Sequence, residues 1–88
     1  MVENQQVDIK VNIMDGDPVT ISISESSTIF QLMNMIKQKT GIQENKQRLL
    51  YLGRLLDKEK TLMDYKIHSG VCIQLVQRSV WFILYYFN

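Results

Sequence analysis

The 88-residue sequence predicts an α+β domain in the order ββαββ, with one helix laid across one face of a small sheet. Three observations predict it. Two runs near the N-terminus alternate apolar and polar residues with the period of a half-buried strand. A central segment repeats its apolar residues with helical spacing behind a capping signal, and two further apolar runs of strand length follow it before position 78.

Met1 to Gln6 is polar and without period, the pattern of a frayed leader. Val7, Ile9, Val11 and Ile13 then alternate with Asp8, Lys10 and Asn12, and Val19, Ile21 and Ile23 alternate with Thr20, Ser22 and Ser24. These are the two strands of a hairpin. Asp15-Gly16 is a strong turn signal, and Pro18, which has no N–H for a ladder, belongs beside a loop or on an edge, so Met14 to Pro18 is expected to form a mobile tip. Thr28 and Gln31 have the spacing of a capping box, in which Thr28 accepts from the N–H three residues on while Gln31 reaches back. The helix therefore begins at about Ile29 and turns Ile29, Leu32 and Ile36 inward with Met33 beside them. Gly41 stands where a left-handed residue ends it, and Lys37 and Lys39 suit the negative end of its dipole. Phe30 and Met35 flank the inner stripe and are expected to be partly buried at its margins; the alternative is a partner groove.

Ile42 to Lys46 reads as a loop. In Arg48 to Leu52 every residue after the arginine is apolar, so a strand sends Leu49 and Tyr51 to one face and Leu50 and Leu52 to the other. One of those faces has to be something other than core. Gly53 supplies a turn, Leu55-Leu56 resumes the apolar run, and Asp57 to Lys60 is solvated, which together make a tight exposed hairpin. Leu49, Leu56, Leu62 and Ile67 point inward. His68-Ser69-Gly70 bends the chain into a last strand, Val71 to Gln77, with Ile73 and Leu75 inward and Cys72, Gln74 and Val76 outward.

Composition narrows the function. Ten Lys and Arg against nine Asp and Glu leave a net charge of +1, with no basic excess for nucleic acid. One cysteine forms no internal disulfide, and no charged-then-apolar leader precedes the first strand, so a reducing compartment, cytosol or nucleus, is expected. His68 and Cys72 lie four residues apart, but no third orienting group and no oxyanion hole accompany them. With no phosphate-binding glycine loop and no zinc spacing either, neither catalysis nor a metal or cofactor is expected.

Gln47-Arg48-Leu49, Leu50-Tyr51, Gly53-Arg54, Leu55-Leu56-Asp57, Thr61-Leu62 and Asp64-Tyr65 together resemble ubiquitin and its relatives. The resemblance runs without a gap from about Val7 to Arg78. In its Gly53-Arg54 turn and Ser69-Gly70 bend the chain is most similar to the ubiquitin-like domains of Scythe-type and ubiquilin-type quality-control proteins. This likeness implies a β-grasp fold, a mixed sheet in which the first and last strands lie side by side. It implies a buried Tyr65 whose hydroxyl bonds to backbone in the preceding loop. It also implies that Met14, Arg48, Leu50, Gln74 and Val76 converge on the sheet face away from the helix. Leu52 adds to that patch and Arg54 to its rim. In the family the matching patch receives short apolar helices and the zinc-finger or sheet surfaces of ubiquitin receptors. The function implied is a non-conjugated interaction module in ubiquitin- and proteasome-linked quality control, with receptors, proteasome subunits or chaperones as partners.

The chain departs from conjugated modifiers after Arg78, where no Gly-Gly occurs and no glycine follows Gly70. Arg54 and Ser69 occupy the places of the two lysines best known for ubiquitin chain linkage, and Gln74 stands where ubiquitin has a histidine. Five of the eight aromatic residues, Trp81, Phe82, Tyr85, Tyr86 and Phe87, crowd the segment 79–88. As a helix Val80 to Phe87 reaches about 12 Å against about 30 Å of hydrocarbon, too short to span a bilayer. As a strand it is uncharged, free of proline and prone to pairing. Three readings stay open for it: an arm packed on its own domain or on a twin, a membrane-surface anchor, and an aberrant end of a longer protein. The rival function is accordingly a structural module whose tail covers the patch and drives homodimerisation; a second rival is a processed ubiquitin-like modifier, which would require a C-terminal glycine that these residues do not encode.

Overall fold

The computed structural model describes residues 5–77. Most of the expected leader and the aromatic segment with Trp81, Phe82, Tyr85, Tyr86 and Phe87 lie outside the described residues. Five strands form, β1 (Gln6–Ile13), β2 (Val19–Ser24), β3 (Gln47–Tyr51), β4 (Arg54–Leu55) and β5 (Cys72–Gln77), with one helix, α1 (Ile29–Thr40), between β2 and β3. Their order across the sheet is β2-β1-β5-β3-β4. β1 and β5 pair in parallel while the other neighbours are antiparallel, so the first and last strands do lie side by side in a mixed sheet.

Alternation puts one face of this sheet against α1. Val7, Ile9, Val11, Ile21, Ile23, Leu49, Ile73 and Leu75 meet Ile29, Leu32, Met33 and Ile36 in a single core, closed by Leu56, Leu62 and Ile67 from the long β4–β5 connection. Ile13 and Val19, at the turn end of the β1–β2 hairpin, are only half-buried.

The start of α1 follows its sequence signal. Thr28 Oγ1 accepts from the Gln31 N–H at 3.1 Å and Gln31 Oε1 accepts from the Thr28 N–H at 2.8 Å. The next donors of the first turn are taken by the β4–β5 connection, Ile29 N–H to the Lys60 carbonyl at 2.7 Å and Phe30 N–H to the Lys58 carbonyl at 3.0 Å. At its other end Gly41 adopts φ 82° and donates to the Lys37 carbonyl. Met35 is half-buried as expected, but Phe30 is 45% exposed: one position on from Ile29, it is turned past the margin of the sheet.

Two local expectations are corrected. Gln6 belongs to β1 opposite Ser24, and the Gln5 carbonyl accepts from Glu25, so the leader ends sooner than its polarity suggests. The turn marked by Asp15-Gly16 forms between β1 and β2, with positive φ on Asp15 (63°) and the Gly16 N–H donating to the Ile13 carbonyl at 3.0 Å. A Cβ at Gly16 would come within 3.0 Å of Ile13 Cγ2, so close approach is what calls for glycine there. β3 ends at Tyr51, and Leu52 (φ 53°) and Gly53 (φ 78°) form a two-residue turn that sets Tyr51 opposite Arg54 and Leu50 opposite Leu55.

Two polar contacts hold the irregular half of the chain. The Tyr65 hydroxyl accepts from the Asp57 N–H at 2.8 Å, which is the backbone bond expected of it, although Tyr65 as a whole is half-buried rather than buried. Gln47 is 6% exposed, and its Nε2 donates to the Met33 carbonyl at 2.8 Å and the Ile42 carbonyl at 3.0 Å. Through it β3 is tied both to the middle of α1 and to the segment that follows.

Candidate functional site

The sheet face turned away from α1 is the site that the elements build. Ile9, Val11, Leu49, Ile73 and Leu75 are spent on the core, so the residues between them in each strand face outward. On β3 and β5 these are Arg48 and Leu50, and Cys72, Gln74 and Val76. Arg48 pairs with Val76 and Leu50 with Gln74, which makes Leu50 and Val76 diagonal neighbours. β1 joins from the other side, with Asn12 opposite Gln74. The Met14 N–H continues that parallel register by donating to the Leu75 carbonyl at 3.0 Å, so Met14 follows beside Val76 at the open end of the face.

Met14, Arg48, Leu50, Gln74 and Val76 are thus brought together from three strands distant in sequence. Leu50, Val76 and Arg48 are half-buried, Gln74 is exposed and Met14 is 46% exposed. Of these five residues Arg48 is the one that carries charge, and the exposed Lys10, opposite Cys72, lies further along the same face. Leu52 does not sit in it as period-two spacing implies. It stands on the turn beyond the ladder and is 82% exposed, the most exposed of the large apolar residues described. Arg54 is not a rim residue either, because it pairs with Tyr51 and lines a hollow with Lys60, Asp64, Tyr65 and Lys66. Within that hollow the Asp64 carboxyl is held below the ordinary carboxylate range by the N–H and hydroxyl of Thr61, helped by Lys60.

Leu55 was missed by sequence reasoning. It lies directly opposite Leu50, so the two side chains share a face, and it is 52% exposed. Its signal was present: once Leu52-Gly53 is read as a two-residue hairpin loop, the register sets Leu50 against Leu55. Gln47 was read only as part of a motif.

This geometry offers contact surface. His68 and Cys72 are both exposed, and among the described residues no group of three or more His, Cys, Asp or Glu is placed to hold a metal ion. Among the described residues no helix is long and apolar enough to cross a membrane.

Comparison with known proteins agrees with the architecture. The model of the ubiquitin family matches residues 7–79. The chain is 32% identical over 79 residues to large proline-rich protein bag6-B of Xenopus laevis, covering 90% of this chain and 7% of that protein. It is 27% identical over 77 residues to ubiquitin domain-containing protein DSK2b of Arabidopsis thaliana, covering 88% and 14%. NEDD8-like protein RUB1 of Saccharomyces cerevisiae is 26% identical over 68 residues, covering 77% of this chain and 88% of that one. The chain therefore spans a small part of the first two relatives and most of the third. Among solved structures, the UBL domain of Plasmodium falciparum Dsk2 superposes with a TM-score of 0.79 at 20% identity, covering 83% of this chain and 99% of that one. That likeness is one of fold, a helix on a five-stranded mixed sheet. With the family match running from β1 to past the end of β5, the chain belongs to the ubiquitin family, as a ubiquitin-like β-grasp domain related to those of bag6 and DSK2 proteins.

Proposed function

We propose that this domain is a non-conjugated interaction module of ubiquitin- and proteasome-linked quality control, acting in the cytosol or nucleus. It docks a ubiquitin receptor, proteasome subunit or chaperone on its uncovered sheet face. The observation that carries the reading is the adjacency of Leu50 and Val76 across β3 and β5, flanked by the exposed apolar residues Leu55 and Met14. Apolar side chains gathered on one face mark contact sites more often than scattered ones do. Arg48 in the same row as Val76 favours a partner that brings a carboxylate to the edge of its apolar stripe. The residues that directly follow Arg78, Ser79-Val80-Trp81-Phe82, hold no Gly-Gly, which supports the non-conjugated role, since a conjugated modifier presents a Gly-Gly arm after its last strand.

Titration of the isotope-labelled full chain with a three-helix ubiquitin-associated domain tests the reading. Amide shifts are expected to cluster on Arg48, Leu50, Gln74 and Val76. The combined change Leu50→Ala with Val76→Ala abolishes binding while the amide spectrum remains that of a folded domain. Undiminished binding by the folded double variant refutes the assignment.

A further inference from the structure

Leu52 is at odds with its place in the chain. Both central residues of the β3–β4 turn have positive φ, a geometry that Asn-Gly or Gly-Gly satisfies without strain and that a leucine adopts only against the clash of its Cβ. The same residue exposes 82% of its surface to water. A change to Asn or Gly would remove both costs at once. Backbone strain and an exposed apolar side chain on one residue is the combination expected where contact with a partner outweighs stability.

We propose that Leu52 is the anchor of the docking face, a side chain held out on the β3–β4 turn to enter an apolar pocket, rimmed by carboxylates, on a helical receptor. The inference rests on the docking face proposed above and adds to it the shape and charge of the partner. Leu50 and Val76 are half-buried in the sheet and present a low surface, which a helix can lie across. Leu52 is different. The β3–β5 ladder stops at Leu50 and Gln74, so a residue two further on, which would otherwise stand against Cys72, is carried off the sheet by the turn. A side chain projecting beyond a low face calls for a concavity on the other side. The docking face that Leu52 overhangs carries Arg48 in the row of Val76, and carboxylates at the lip of the pocket complement it.

The test is a comparison of full-length variants by calorimetric titration and thermal unfolding. Two probes are used, a three-helix ubiquitin-associated domain and a single ubiquitin-interacting helix with an acidic leader. Leu52→Asn is expected to raise the unfolding midpoint by about 4 to 8 °C, while weakening the tighter of the two probes about tenfold. Leu52→Met keeps the side chain apolar and long, and is expected to hold binding within about twofold without raising the midpoint. Binding by Leu52→Asn equal to that of the unmodified chain, with Leu50→Ala and Val76→Ala still abolishing it, overturns the anchor and leaves the docking face standing. A midpoint that does not rise in Leu52→Asn removes the strain on which the inference is built. Failure of the unmodified chain to bind either probe overturns the docking face and the anchor together.

Discussion

Gln47 is the residue whose replacement says most about how this small domain holds its docking face. Its Nε2 bridges the Met33 and Ile42 carbonyls, and its Oε1 is buried with no protein partner. Replacement by Leu, of similar volume, removes two hydrogen bonds worth about 0.5 to 1.5 kcal/mol each net. The same change deletes an unpaired buried acceptor, which offsets part of that loss, by about 1 kcal/mol. The expected destabilisation is therefore small, about 1 kcal/mol, or about 4 to 8 °C in the midpoint of a domain this size. Gln47→Glu is a different perturbation with nearly the same shape. Its carboxylate would face two carbonyls with no donor to either, and an unpaired buried charge costs about 3 kcal/mol or more. Burial raises the folded-state pKa of that glutamate above its unfolded value, so the folded state keeps the proton longer. Stability of the variant is then expected to fall as pH rises from the unfolded pKa through the folded one, and to be regained on acidification. Denaturant unfolding of the three chains at acid and neutral pH measures all of this. A Gln47→Glu chain as stable as Gln47→Leu at neutral pH, with no pH dependence in the difference, would refute the claim that this side chain is a buried clamp.

Further outcomes follow from contacts elsewhere. Tyr65→Phe removes the acceptor of the Asp57 N–H and is expected to cost about 1 kcal/mol, read as a lower midpoint with an unchanged spectrum on the outer sheet face. Asp64, whose carboxyl Oδ2 accepts from the Thr61 N–H at 2.9 Å while its own N–H donates to Thr61 Oγ1, has its pKa lowered on folding. Its contribution is present above the ordinary carboxylate range and lost as pH falls through the depressed value, so the advantage of the unmodified chain over Asp64→Asn is expected to close on acidification. Sedimentation equilibrium of the full chain beside one ending at Arg78 separates the interaction module from the homodimer. Two monomers favour the interaction module, and a dimer lost on truncation favours the rival.

Most of the fold could be read from residue spacing because most of it is spacing. The alternation of Val7 to Val11 and of Ile21 and Ile23, and the Thr28 and Gln31 pair, are local signals, and the structure realises each locally. The outer face was legible for the same reason. Once Leu49, Ile73 and Leu75 are committed inward, Arg48, Leu50, Gln74 and Val76 have nowhere else to point. What failed were the places where local period gives way to tertiary geometry. Period-two counting carries Leu52 into the patch, but the chain reverses one residue sooner, and the same reversal takes Arg54 to the Tyr51 side and brings Leu55 up opposite Leu50. At Asp15-Gly16 the sequence marks the turn but not which residue takes the positive φ, and the structure puts it on Asp15.

Gln47 marks the deeper limit. Its two acceptors are main-chain carbonyls of residues 33 and 42, atoms that every residue type carries, so no residue pattern points to them. Yet this contact positions the strand that presents Arg48 and Leu50. A substitution at Gln47 that leaves the domain folded should therefore shift the amide signals of Arg48, Leu50 and their β5 partners Val76 and Gln74 together, and those of β2 hardly at all, because β2 meets β3 only through β5 and β1. Receptor affinity should change with that group of signals. Shifts spread evenly over all five strands would mean that the outer face is held by the sheet as a whole and not by this one clamp.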